Sequence, residues 1–154
     1  MEPRLHVSVQ EADFDVSAEC ARLTGGRADI GALVTFTGLV RDHGGGETIS
    51  AMELEHYPGM TEKALREIAE AALSRWPLQG AVVIHRYGAL SPADRIVLVA
   101  TASPHRQAAF EAAEFLMDWL KTKAPFWKKE TTEQGARWVD ARESDDVAAS
   151  RWGR

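Results

Sequence analysis

The chain has 154 residues, enough for one domain with a real hydrophobic core, and its 45% hydrophobic and 27% charged residues match an ordinary soluble globular protein. A net charge of -5 argues against general nucleic-acid binding, and no apolar run reaches membrane-spanning length. The N-terminus, Met1-Glu2-Pro3-Arg4-Leu5, lacks the basic and apolar regions of a secretory signal, and the single cysteine, Cys20, allows no internal disulfide, which together suit a reducing cytoplasm.

Leu5, Val7 and Val9 alternate with polar residues and predict a first strand. Val16 to Leu23 predicts a short helix stopped by Gly25-Gly26. Ala32 to Arg41 is rich in β-branched residues and predicts a strong strand, with Gly38 marking a bulge or a close backbone approach. Asp42 to Glu47, with three consecutive glycines, is expected to be a mobile loop of a hairpin. The returning strand, Ile49 to Tyr57, puts Met52, Leu54 and His56 on one face. Thr61 is the expected N-cap of the next helix, with Met60 and Leu65 as a hydrophobic staple. Leu65, Ile68, Ala69, Ala72, Leu73 and Trp76 form its apolar stripe, and Pro77 and Gly80 stop it. Ala81–Tyr87 and Arg95–Ala102 predict two strands joined by a loop over 88–94.

The segment from Ser103 to Glu130 carries the most chemistry. Ser103 fits a helix N-cap and Pro104 the first helical position. His105 and Arg106 then fall in the first turn, where the helix dipole disfavours cations, so free N–H groups, an imidazole and a guanidinium converge on an anion site. Phe110, Ala113, Met117 and Lys121 follow at helical spacing, which places Lys121 on an otherwise apolar stripe. Pro125 ends the helix and sends the chain extended through Lys128. Taken singly, each residue has a plainer reading: a solvated cation, or a Lys that complements the helix C-terminus. Together, the cluster of Lys121, Lys123, Lys128 and Lys129 in an acidic protein points to a specific anionic ligand. A short strand, a turn at Gln134-Gly135 and a strand near Trp138 complete the pattern. Residues 1–140 are expected to form a single catalytic domain, and 141–154 a polar tail that orders on a partner. Hairpins mixed with βαβ-like steps favour an α+β fold with a mostly antiparallel sheet.

No P-loop, dinucleotide-binding glycine motif, zinc-spaced histidine pair or nucleophile elbow is present. What remains is Arg, His and Lys chemistry: anion binding, and proton transfer or nucleophilic attack by a Lys. A non-catalytic module that binds an anionic peptide tail or a nucleotide is the competing reading. It would need Arg41, His105 and Arg106 but not both lysines.

Several stretches resemble the large, catalytic subunit of molybdopterin synthase: Val34-Thr35-Phe36-Thr37-Gly38-Leu39-Val40-Arg41, Leu54-Glu55-His56-Tyr57-Pro58-Gly59-Met60, Ser103-Pro104-His105-Arg106, the run from Leu120 to Glu130, and Trp138-Val139-Asp140-Ala141-Arg142. The resemblance runs in order over nearly the whole chain. It implies an α/β-hammerhead-like α+β fold and a homodimer that carries two small ubiquitin-like subunits. Each small subunit ends in a Gly-Gly thiocarboxylate and donates sulfur, and the substrate is cyclic pyranopterin monophosphate, converted to the dithiolene of molybdopterin. No metal or organic cofactor is implied. Lys121 and Lys128 correspond to the family's catalytic lysines. Arg41, His105 and Arg106 correspond to phosphate and pterin contacts, reached either within one subunit or across the dimer. Lys129, Glu130 and Arg142 lie in matching motifs near the pocket, and Phe36 and Met117 match pocket-lining positions. Leu39 and Val40 belong to the substrate-binding segment, although Leu39 stands where relatives carry a basic residue, which leaves its backbone rather than its side chain as the contact. The apolar stripe beside Lys121, and the like charge of Lys128, would favour the neutral amine.

Overall fold

The computed structural model describes residues 2–44, 46–139, 150 and 152. Nine strands and three helices are assigned among them. The first sheet has the order β1 (Arg4–Gln10), β5 (Gly80–Arg86), β7 (Arg95–Ser103), β2 (Ala32–Leu39). β1 runs parallel to β5, while β5–β7 and β7–β2 are antiparallel. The central strands are apolar on both faces because both faces are covered. On one side Val83, Val97 and Val99 pack against Leu65 and Ala69 of α2 (Met60–Arg75) and Ala112 and Leu116 of α3 (Arg106–Thr122). On the other, Val82, Ile84 and Leu98 meet Phe14 and Leu23, the latter from α1 (Val16–Thr24), whose first turn is capped by Asp15 accepting the Ala18 N–H at 3.0 Å.

The second sheet pairs β3 (His43–Gly44), β4 (Glu47–His56), β8 (Phe126–Thr132) and β9 (Gly135–Val139) in that order, and β6 (Gly88–Leu90) adds to β4. Gly88, at φ 87°, is the point where the chain leaves the first sheet for the second. All the sheet pairings other than β1–β5 are antiparallel, as the α+β expectation requires. The bulge expected at Gly38 is present as a register shift between Gly38 and Leu39. Met52 and Leu54 are buried on the inner face of β4, with Glu53 and Glu55 exposed on the other.

Several local expectations give way to tertiary pairing. Ser103 does not cap α3. It pairs with Ala32 as the last residue of β7, is fully buried, and its hydroxyl donates to the His105 carbonyl. Pro104 therefore lies in the connection, and the helix begins at Arg106 with His105 at the N-cap. Thr61 is likewise inside α2 rather than at its cap, with its hydroxyl donating to the Tyr57 carbonyl at 2.8 Å. Gly59 takes the cap position at φ 85°, and Met60 is 65% exposed, so the staple does not form. Residues 88–90 are strand rather than loop, and 43–44 pair with 47–48 in a hairpin rather than a loose loop. Phe110 is exposed; the buried face of α3 is Ala109, Ala112, Ala113, Leu116 and Leu120, which turns the expected stripe to the margin.

Trp152 lies on its own chain. Its ring meets those of Trp76 and Phe115 edge to face at 5.7 Å, and its indole N–H donates to Asp118 at 2.5 Å. Arg142 lies outside the described residues. No described helix is long and apolar enough to cross a membrane.

Candidate active site

The C-terminal end of α3 and the second sheet enclose a cleft of about 770 Å³. Lys121 enters it from the last turn of α3. Three residues later the chain turns, and β8 returns along β4 with Phe126 opposite His56, Lys128 opposite Leu54 and Glu130 opposite Met52. Alternation along the strand thus sends Phe126, Lys128 and Glu130 to one face. Arg41 closes the cleft from the end of β2, and Arg137 from β9. The expected meeting of Lys121 and Lys128 across the Pro125 turn is what the fold produces.

Glu130 is the buried anion of this cationic cleft. Its carboxylate lies 3.7 Å from the Lys128 ammonium and 3.6 Å from the Arg137 guanidinium. Arg137 also pairs with Glu47 and donates to the Gly44 carbonyl at 2.9 Å. One guanidinium thereby ties β9 to the β3–β4 hairpin. A Cβ at Gly44 would lie 2.7 Å from the Ile49 Cδ1 and 3.3 Å from the Glu130 carboxylate, so a larger residue there would push both side chains aside. Lys121 itself is exposed on the single chain, so the expected desolvation is not supplied by the apolar stripe.

Two histidines border the floor. His85 is 8% exposed, lines the cleft, and stacks on Phe126 with ring centroids 3.8 Å apart. Burial pushes its pKa down to about 4, with the Lys121 charge and His56 adding to the effect against a hydrogen bond to the Arg86 carbonyl. His56 packs on Tyr87 and Phe126, and its Nδ1 lies 3.1 Å from the Thr61 hydroxyl. That hydroxyl already donates to Tyr57, so it accepts from His56.

The remaining sequence-predicted residues divide into four groups. Leu39 and Val40 line a small recess of about 80 Å³ shared with Arg41, Lys121, Lys128 and Glu130. The Val40 backbone is committed: its N–H donates to the Asp94 carbonyl and its carbonyl accepts from Ala93. Lys129 turns to the opposite face of β8, with its ammonium 5.4 Å from the Trp138 ring. Phe36 and Met117 line a separate groove of about 410 Å³ between β2 and α3. His105 and Arg106 are exposed at the other end of α3, about 22 Å from Lys121 at 1.5 Å rise per residue. No acid stands in that first turn.

Residues 9–123 match the MoaE protein family. The chain belongs to the MoaE family. It is 63% identical over 147 residues to the molybdopterin synthase catalytic subunit of Ralstonia nicotianae, covering 96% of this chain and 84% of that one. A molybdopterin biosynthesis MoaE protein from Burkholderia ambifaria superposes with a TM-score of 0.82 at 54% identity, covering 97% of this chain and 99% of that one. A molybdopterin synthase structure from Staphylococcus aureus gives 0.76 at 34% identity over 86% of this chain and 95% of that one.

Within this MoaE fold, three cleft residues escape sequence reasoning: His85, Arg137 and Gly44. His85 follows Val82-Val83-Ile84 and reads as part of a buried strand. Arg137 alternates outward in a short strand; its partner Glu47 is remote in sequence, and Glu130 faces it only across the β8–β9 pairing. Gly44 sits in a run of three glycines whose local signal is only flexibility. Among the described residues no cluster of His, Cys, Asp or Glu could hold a metal ion.

Proposed function

We infer that this protein is the catalytic subunit of a molybdopterin synthase, an enzyme of molybdenum-cofactor biosynthesis. It transfers sulfur from the thiocarboxylated C-terminus of a small ubiquitin-like subunit to cyclic pyranopterin monophosphate, forming the dithiolene. The observation that carries this reading is the convergence of Lys121 and Lys128, from two different elements, on one cleft with Arg41 and Arg137. Such a cleft suits an anionic chain end: a slim glycine tail threads it, and ammonium groups hold the terminal thiocarboxylate. As sulfur bonds to the pterin, water takes its place on the carbonyl carbon and leaves the partner's tail as a carboxylate, and the lysines supply and accept the protons. With Lys128 ion-paired to Glu130, it serves charge stabilisation, while Lys121 is placed for proton transfer or attack. The lone Cys20 and the sulfur chemistry fit the cytoplasm.

The site needs a second copy of the chain. β2 is the edge strand of its sheet, and Leu33, Phe36 and Phe110 are exposed along it and the adjoining face of α3. α3 starts beside Ala32 and returns to the Leu39 end. A two-fold axis across β2 therefore sets the Ala32 end of one copy against the Leu39–Arg41 end of the other. His105 and Arg106 of the second copy then approach the cleft with their anion-binding helix end, where they meet the substrate phosphate. Phe36 and Met117 become part of the same shared interface.

The test is a reconstituted reaction with thiocarboxylated small subunit and the pterin precursor, followed by dithiolene formation. Product that depends on Lys121 and on the last two glycines of the partner supports the reading. Turnover indifferent to both contradicts it.

A further inference from the structure

β5 sends Ala81, Val83 and His85 to the same face, toward α3, because successive residues alternate. Packing alone asks for an aliphatic residue at the third position, as at Val83 and at Val97 and Val99 of the neighbouring strand. An imidazole there is a buried polar group, which costs free energy unless its nitrogens are used. One nitrogen has an evident partner: Nδ1 lies 2.8 Å from the Arg86 carbonyl oxygen. A carbonyl can only accept, so the proton of the neutral ring sits on Nδ1 and Nε2 is left as an acceptor. The ring plane is fixed by its stack on Phe126, and the residue borders the cleft that Lys121 enters.

We propose that His85 is a positioning residue for Lys121: its Nε2 lone pair accepts a hydrogen bond from the Lys121 amine and fixes where that amine points in the cleft. This rests on the reading that Lys121 acts on the substrate. His85 stacks on Phe126 from β8 and lines the same cleft as Lys121 from α3, and the charges of Lys121 and of His56 from β4 act on its ring. A neutral acceptor is what this place requires. A carboxylate would pair with Lys121 as Glu130 pairs with Lys128 and hold it as an ammonium ion. A protonated imidazole would repel it. Burial keeps His85 neutral down to about pH 4, so the arrangement is intact at neutral pH. Lys128 is held by an anion, and His85 offers Lys121 a directional, uncharged acceptor.

The direct test is side-chain nitrogen NMR of the histidines in the full-length chain, wild type and Lys121→Met. The expected result is a neutral His85 protonated on Nδ1, whose Nε2 resonance moves toward that of an unbonded acceptor in Lys121→Met. A proton on Nε2, or an Nε2 resonance indifferent to Lys121→Met, overturns the proposal. This arm needs neither sulfur donor nor pterin, so its failure is separate from failure of the proposed reaction. A second arm reads turnover in the reconstituted synthase. His85→Leu should lower kcat about 10²-fold through a misplaced amine, with the KM for the small subunit little changed. His85→Gln, which returns a polar atom near the Nε2 position, should recover most of that loss. Equal losses in both variants, tracking their melting temperatures, would mark a purely structural histidine and overturn the proposal.

Discussion

The two ends of α3 carry the same kind of chemistry in opposite settings. At the C-terminal end, Lys121 enters a cleft walled by β4, β8 and β9 of its own chain, with Glu130 and Arg137 organising the charges. At the N-terminal end, His105 and Arg106 stand exposed, with no acid in the first turn. In the proposed dimer, the C-terminal end is the half of the site already assembled on one chain, and the outward N-terminal end supplies the other half. A helix about 25 Å long can thus serve two sites in a dimer, one with each end, where one chain alone brings only the lysine end to the cleft. What the comparison teaches is that two basic clusters on one helix need not be one site.

The largest effect belongs to the lysine end. Lys121→Ala should reduce dithiolene formation by about 10²–10⁴-fold, the range for loss of a proton-transferring group, with an unchanged melting temperature because Lys121 is exposed. A fall in stability as large as the fall in rate would break the assignment of this end as chemical rather than structural. The floor of the same end responds to pH. His85 titrates near 4 when folded and near 6.5 when unfolded. The unfolded state therefore binds more protons between these values, so stability is fully present above about 6.5 and is lost as pH falls toward 4. The loss reaches about 3 kcal/mol at most. His85→Leu should flatten that part of the stability–pH curve, measured by denaturant titration at several pH values.

The outward end has a smaller effect, read in binding. Arg106→Ala should weaken capture of the phosphate-bearing precursor by about 1.5–3 kcal/mol, one charge-assisted contact. Calorimetric titration measures it, and an unchanged Kd would remove this end from the site. The smallest change sharpens the organisation of the cleft. Glu130→Gln keeps the shape but takes the anion from Lys128 and one of two carboxylates from Arg137, which keeps Glu47; both cations are partly exposed. It should cost about 1 kcal/mol, a fall of about 2–4 °C in Tm.

Much of this was legible in the chain. The strands other than β3 and β6, α1, α3's C-terminal stop at Pro125 and the approach of Lys128 to Lys121 all follow from local pattern. The misreadings share a cause. Ser103 and Thr61 look like caps because local hydrogen bonding favours them there, yet a ladder to Ala32 and a bond to Tyr57 claim them. The stripe through Phe110 was placed one face too far round, since only tertiary packing decides which side of α3 is covered. His85 and Arg137 were invisible because their meaning lies in Phe126, Glu47 and Glu130, residues 41 to 90 positions away or in a different strand. The resemblance named His105 and Arg106 as substrate contacts, but only the length of α3 separates them from the lysines of the same chain.

The central claim, that the two ends of α3 serve different sites, is tested most directly by mixing two defective chains. Lys121→Ala and Arg106→Ala are each refolded alone and together, then assayed with the small subunit at limiting precursor. Random pairing makes half the dimers mixed, and each mixed dimer has one intact site of two, so the mixture should regain about a quarter of the wild-type rate. A mixture no more active than the average of the two variants alone would contradict the claim and return both ends of the helix to one subunit's site.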